Sequence, residues 1–104
     1  MRCVPFDSNY RVRIDKMEAE IIKCRAEKTA IIALIGVAGA TETGSIDDLT
    51  AIAGLAKKYG IHFHVDAAWG GPCIFSKTHS VKMKGICYHI CNHICNHICN
   101  HIYR

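Results

Sequence analysis

Two short apolar runs, one about a third of the way along the chain and one 25 residues later, constrain this sequence more than any other feature. Ala30-Ile31-Ile32-Ala33-Leu34-Ile35 is continuously apolar, with charge before it and Gly36 after it. A run of that length without alternation reads as a strand buried on both faces, spanning about 30–36. Ile61-His62-Phe63-His64-Val65-Asp66 reads as a second strand, 61–66. Between them lies a small-residue loop, Gly36 to Ser45, and then Leu49, Ile52, Ala53, Ala56 and Tyr59 at helical spacing. This predicts a helix over about 47–59, with Asp47 or Asp48 capping its start and Lys57-Lys58 forming a solvated last turn. Gly60 stands where a left-handed residue ends a helix. Strand, helix, strand in that order predicts a βαβ unit with a right-handed crossover and therefore parallel strands. Their carboxyl ends then share one edge, where open α/β sheets bind ligands.

Upstream, Arg2 to Phe6 predicts the end of a strand, closed by Pro5 and the turn-prone Asp7-Ser8-Asn9. Asp15 and Glu18 have the spacing of a capping box. Ile14, Met17, Ile21 and Cys24 recur at helical spacing with charges between them, which predicts a helix over about 16–27.

Composition excludes several classes. The chain has 104 residues, half of them hydrophobic, with 8 Gly and 2 Pro, so a disordered or collagen-like polymer is ruled out. Its net charge of +4 comes from bases interleaved with acids, as in Arg11, Arg13, Asp15, Lys16 and Glu18. No phosphate-tracking stripe emerges, and nucleic-acid binding is not expected. Met1 to Arg13 holds no apolar signal core, and the run from Ala30 to Ala40 falls short of the roughly 20 residues a membrane span needs. A cytoplasmic protein is expected. Seven cysteines, an odd number without a secretory signal, argue against a disulfide framework.

Four of those cysteines and four of the seven histidines lie between Cys87 and His101. The run is Cys-Tyr-His-Ile, then Cys-Asn-His-Ile three times, then Tyr103-Arg104. Two parts are therefore expected, 1–86 and an irregular, low-complexity tail, 87–104. Four codons make a twelve-base unit, so a frameshift or truncation into repetitive DNA is the plainest source of the run. The alternative is metal binding. Cys87, His89, Cys91 and His93 offer thiolate and imidazole, which suit Zn²⁺ or Cu, though the C-x₃-C spacing departs from the usual zinc patterns.

Asp66 ends an apolar strand, precedes two alanines and a glycine pair, and has no base within five positions. It can cap the backbone of its own turn, or it can face a cationic partner, because a carboxylate there is costly unpaired. His62 and His64 share one face of the strand. Trp69, the one tryptophan, is expected to fill space at the mouth of the site.

The segments Gly36-Val37-Ala38-Gly39-Ala40-Thr41-Glu42-Thr43-Gly44-Ser45-Ile46-Asp47 and His62-Phe63-His64-Val65-Asp66-Ala67-Ala68-Trp69-Gly70-Gly71 resemble the group II pyridoxal-phosphate-dependent amino-acid decarboxylases. That family includes enzymes for glutamate, aspartate, tyrosine, cysteine sulfinate and aromatic amino acids. The likeness covers about residues 2–86 and leans toward the aspartate and glutamate enzymes. It implies a βαβ slice of the large domain of a fold type I, aspartate aminotransferase-like enzyme, homodimeric when intact, acting on a small amino-acid substrate. It implies pyridoxal 5′-phosphate as cofactor. Asp66 matches the aspartate facing the pyridine nitrogen, Ala68 the small residue under the ring, and Thr41 the loop threonine near the ring substituents and substrate carboxylate. His64 belongs to the H-x-D-A-A motif as a packed neighbour. The resemblance also implies a Schiff-base lysine in a His-Lys pair downstream, and a phosphate loop and ring-stacking histidine upstream. None of Lys77, Lys82 and Lys84 follows a histidine. A slice of this kind is expected to be marginally stable and inactive alone.

Overall fold

The computed structural model describes residues 1–86. Helix α1 (Ile14–Ala26) is followed by strand β1 (Ala33–Val37), helix α2 (Leu49–Tyr59) and strand β2 (His62–Asp66). Two 3₁₀ turns, Gly71–Phe75 and Ser80–Met83, complete the described residues. The strands pair in parallel, from Ala33 opposite His62 to Val37 opposite Asp66, as the βαβ reading requires. No helix among these residues is long and apolar enough to cross a membrane.

Helix α2 buries Leu49, Ile52, Ala53, Leu55 and Ala56. Its stop is the expected one: Gly60 adopts φ 63°, ψ 37°, and the Ile61 amide donates to the Ala56 carbonyl. Ile61 is thus still bonded to the helix, so β2 begins at His62. Strand β1 can begin only where β2 offers partners, which leaves Ile31 and Ile32 outside it. Ile32 is 89% exposed. Leu34, Gly36, Phe63 and Val65 face α2 and are buried. The expectation that β1 is buried on both faces is not met. Ile35 is exposed, as are His62, His64 and Asp66 on the same face, because the helices of the described residues cover only the other side.

Helix α1 buries Met17, Ile21 and Cys24 against the common core. The capping box does not form. The helix starts two residues before the expected point, Arg13 is the N-cap without a side-chain bond, and Asp15 pairs with the Arg13 guanidinium at 2.7 Å. Glu18 instead links the two helices, accepting from Lys58 Nζ at 2.7 Å and the Tyr59 hydroxyl at 2.8 Å. The Lys58 ammonium, then the Tyr59 hydroxyl, hold the Glu18 carboxyl below the usual glutamate range. The Tyr59 ring also lies under the Arg25 guanidinium, 4.9 Å from its centroid. The strand expected at Arg2 to Phe6 is a single antiparallel bridge, Phe6 to Val12, closed by an Asp7 turn in which Asp7 Oδ1 accepts from the Asn9 and Arg11 amides.

The adjacent aspartates before α2 divide their work. Asp48 is the N-cap, accepting from the Ala51 amide at 2.9 Å. Asp47, half-buried, does not cap. Its Oδ1 accepts from the Val12 amide at 2.7 Å and its Oδ2 from the Val37 amide at 2.8 Å. Removing the cap by Asp48→Ala is expected to cost about 1 kcal/mol. Asp47→Ala strands two amides and is expected to cost roughly 2–3 kcal/mol. Urea unfolding of both variants checks this ranking; equal losses would refute it.

Candidate functional site at the carboxyl edge of the strands

Asp66 is the last residue of β2 and sits on the open face of the sheet. Its carbonyl accepts from the Ala38 amide at 2.8 Å, and its Oδ1 accepts from the Ala68 amide at 3.2 Å. The local turn reading of Asp66 is therefore present, with Oδ1 held by the amide two residues on. That bond orients the carboxylate without neutralising it, since an amide brings no positive charge. Ala68 is exposed directly beside it, and His64 is exposed two residues earlier on the same face, in register with Ile35.

Thr41 lies exposed in the loop after β1, at the same edge of the sheet. The loop is held by its own backbone: the Gly39 and Ala40 amides donate to the Ser45 carbonyl, and the Gly44 amide to the Ala40 carbonyl. Ile46 then bridges back to Ala38, and the Asp47 amide donates to the Val37 carbonyl. The loop thus leaves β1 and returns along it. No hydrogen bond among the described residues joins Thr41 to Asp66 or Ala68.

What sets the spacing between the two strand-end loops is a contact of backbones. A Cβ on Gly70 would sit 2.1 Å from the Ala38 carbonyl oxygen, and one on Gly39 would sit 2.7 Å from the Gly70 Cα. Gly39 also takes φ 93°, a conformation L side chains rarely adopt. Trp69, 59% exposed, lies over Gly39 rather than closing the edge. Sequence reading singled out Asp66, Ala68, Thr41 and His64 but missed this clasp and the tie made by Asp47. The glycine in each strand-end loop was the available signal, but only distances turn it into a contact. Lys77, Lys82 and Lys84 are exposed and belong to the segment after Gly71. Among the described residues no group of three His, Cys, Asp or Glu could hold a metal, and Cys87, His89, Cys91 and His93 lie outside them.

Neighbouring glycines make the clasp testable. Gly70→Ala is expected to destabilise by about 1–3 kcal/mol, because backbone must move to admit the methyl group. Gly71→Ala meets only an ordinary contact, the Ala67 Cβ at 3.6 Å, and is expected to stay within about 0.5 kcal/mol of the parent. Denaturant titration followed by near-UV dichroism of Trp69 separates the two; matching midpoints would remove the clasp from the account.

Comparison with known proteins agrees with this fold. Residues 1–94 match the family described as the pyridoxal-dependent decarboxylase conserved domain. The chain is 47% identical over 83 residues to the aspartate 1-decarboxylase of Aliivibrio fischeri, covering 80% of this chain and 15% of that protein. It is 51% identical over 73 residues to the L-tyrosine decarboxylase of Levilactobacillus brevis, covering 65% of this chain and 12% of that protein. The crystal structure of mouse CSAD in apo form superposes with a TM-score of 0.81 at 37% identity, covering 84% of this chain and 18% of that one. The chain therefore spans less than a fifth of the length of these relatives. With a family match over residues 1–94, a shared fold and identities of this size, the chain belongs to the pyridoxal-dependent decarboxylase family.

Proposed function

We propose that this chain carries the ring-facing part of a pyridoxal-phosphate site that removes the α-carboxylate of an acidic amino acid as CO₂. The observation that carries the reading is Asp66: an exposed carboxylate at a strand end, oriented by the Ala68 amide, with only a methyl group next to it. Similarity to an aspartate 1-decarboxylase supports an acidic substrate.

The residues present fit one half of the cofactor's needs. When bound, pyridoxal phosphate supplies the sink for the electron pair left behind by departing CO₂. Asp66 would hold a proton on the ring nitrogen, because an adjacent opposite charge favours the charged form. Each unit by which that nitrogen's pKa rises corresponds to about 1.4 kcal/mol. Ala68 leaves room for a flat ring beside the carboxylate. The Thr41 hydroxyl, which makes no hydrogen bond among the described residues, can donate to a ring substituent or to the substrate carboxylate. His64 flanks Asp66 on the same face of the sheet. The covalent half is unmet, since the 104 residues contain no His-Lys pair. On this reading the isolated chain neither anchors the cofactor covalently nor turns over an amino acid.

Two measurements check the proposal. Placed at the matching position of the intact Aliivibrio fischeri enzyme, Asp66→Asn is expected to lower turnover by at least about tenfold while leaving the fold in place. Near-normal turnover would remove the role given to Asp66. In the isolated chain, mixing with pyridoxal phosphate and reducing with borohydride should label exposed lysines sparsely and without preference. Stoichiometric labelling of one lysine, together with CO₂ release from an amino acid, would overturn the inactive reading.

A further inference from the structure

A cavity of about 130 Å³ lies between the loop after β1 and the two 3₁₀ turns, and Asp66, Ala68 and Thr41 take no part in its lining. Its apolar walls are Ile46, Trp69, Cys73 and Met83, and the exposed His79 and Lys82 complete its side-chain lining. The clasped glycines, Gly39 and Gly70, form part of the wall, so the space is preformed. Every ionisable group with a fixed charge here is positive. From Ala67 to Ile86 the chain has no Asp or Glu, and Lys82 has no ion-pair partner among the described residues. The His79 ring is held at Nδ1 by the Ser76 and Thr78 hydroxyls at 3.0 and 2.9 Å.

A cationic group at a mostly apolar cavity selects its ligand by charge and by size. Phosphate needs several donors around it, and the amides of Gly39 and Gly44 are already spent on the Ser45 and Ala40 carbonyls. A carboxylate asks for fewer donors and brings an apolar body for the walls. A cavity of about 150 Å³ accommodates benzene, so the present one suits a chain of about four carbons. We infer that this cavity binds a small monocarboxylate, its carboxylate paired with Lys82 and its alkyl tail against Trp69. The inference is independent of the role given to Asp66.

Trp69, the one tryptophan of the chain, makes the cavity directly observable by fluorescence. Sodium butyrate added to the full-length, reduced chain at constant ionic strength should change the emission saturably, with a dissociation constant of about 1–10 mM. n-Butanol and sodium chloride should leave it unchanged. Lys82→Met, checked for native circular dichroism, should weaken binding about tenfold, and Lys82→Arg should restore it. Lys84→Met, outside the cavity, should bind as the parent does. Absence of saturation, equal binding by Lys82→Met, or tighter binding of inorganic phosphate than of butyrate would each overturn the inference.

Discussion

Val12 and Val37 come from distant parts of the chain, yet their amides donate to the two oxygens of one carboxylate, that of Asp47. The same residue's amide donates back to the Val37 carbonyl, so β1 is gripped where it ends. The loop that carries Thr41 is thereby closed at its base, and α2 begins two residues further on with its own cap at Asp48. The N-terminal bridge is drawn in through Val12, which positions α1 to reach α2 through Glu18. A short side chain with two acceptors achieves this because half-buried amides must find partners.

At the carboxyl edge the geometry is set differently, by the absence of side chains. Gly39 and Gly70 let two loops meet backbone to backbone, closer than any Cβ would allow. The loop bearing Thr41 and the turn bearing Asp66 and Ala68 therefore share one rigid frame. Thr41 is carried on that frame without a hydrogen bond to Asp66 or Ala68 among the described residues, which leaves the Thr41 hydroxyl and one oxygen of Asp66 for something else to bind.

Much of this was legible in the residues. The βαβ order followed from an unbroken apolar run, a 3.6-residue stripe and Gly60, all local signals, and the His64 to Ala68 motif pointed to Asp66. What escaped reading depended on distance in space. Two adjacent aspartates look alike as caps, and only the partner at Val12, 35 positions away, decides which one caps. Asp15 and Glu18 have capping-box spacing, but the helix starts earlier, the neighbouring Arg13 claims Asp15, and Lys58 and Tyr59 of α2 claim Glu18. The double-sided apolarity of Ala30 to Ile35 is the pattern of a strand inside a larger sheet. Here it leaves Ile35 on an open face, consistent with a chain that spans less than a fifth of its relatives.

The parallel register carries a kinetic consequence. Ala33 meets His62 and Val37 meets Asp66, so every pair is 29 positions apart and none can form as a hairpin. Closing a loop of that length costs about 3 kcal/mol in chain entropy before any strand contact compensates. Helix α2 occupies 11 of the intervening residues and its capped end delivers the chain to His62. Forming α2 shortens the span that closure must cross, so pairing of the strands is coupled to α2 and its cap at Gly60.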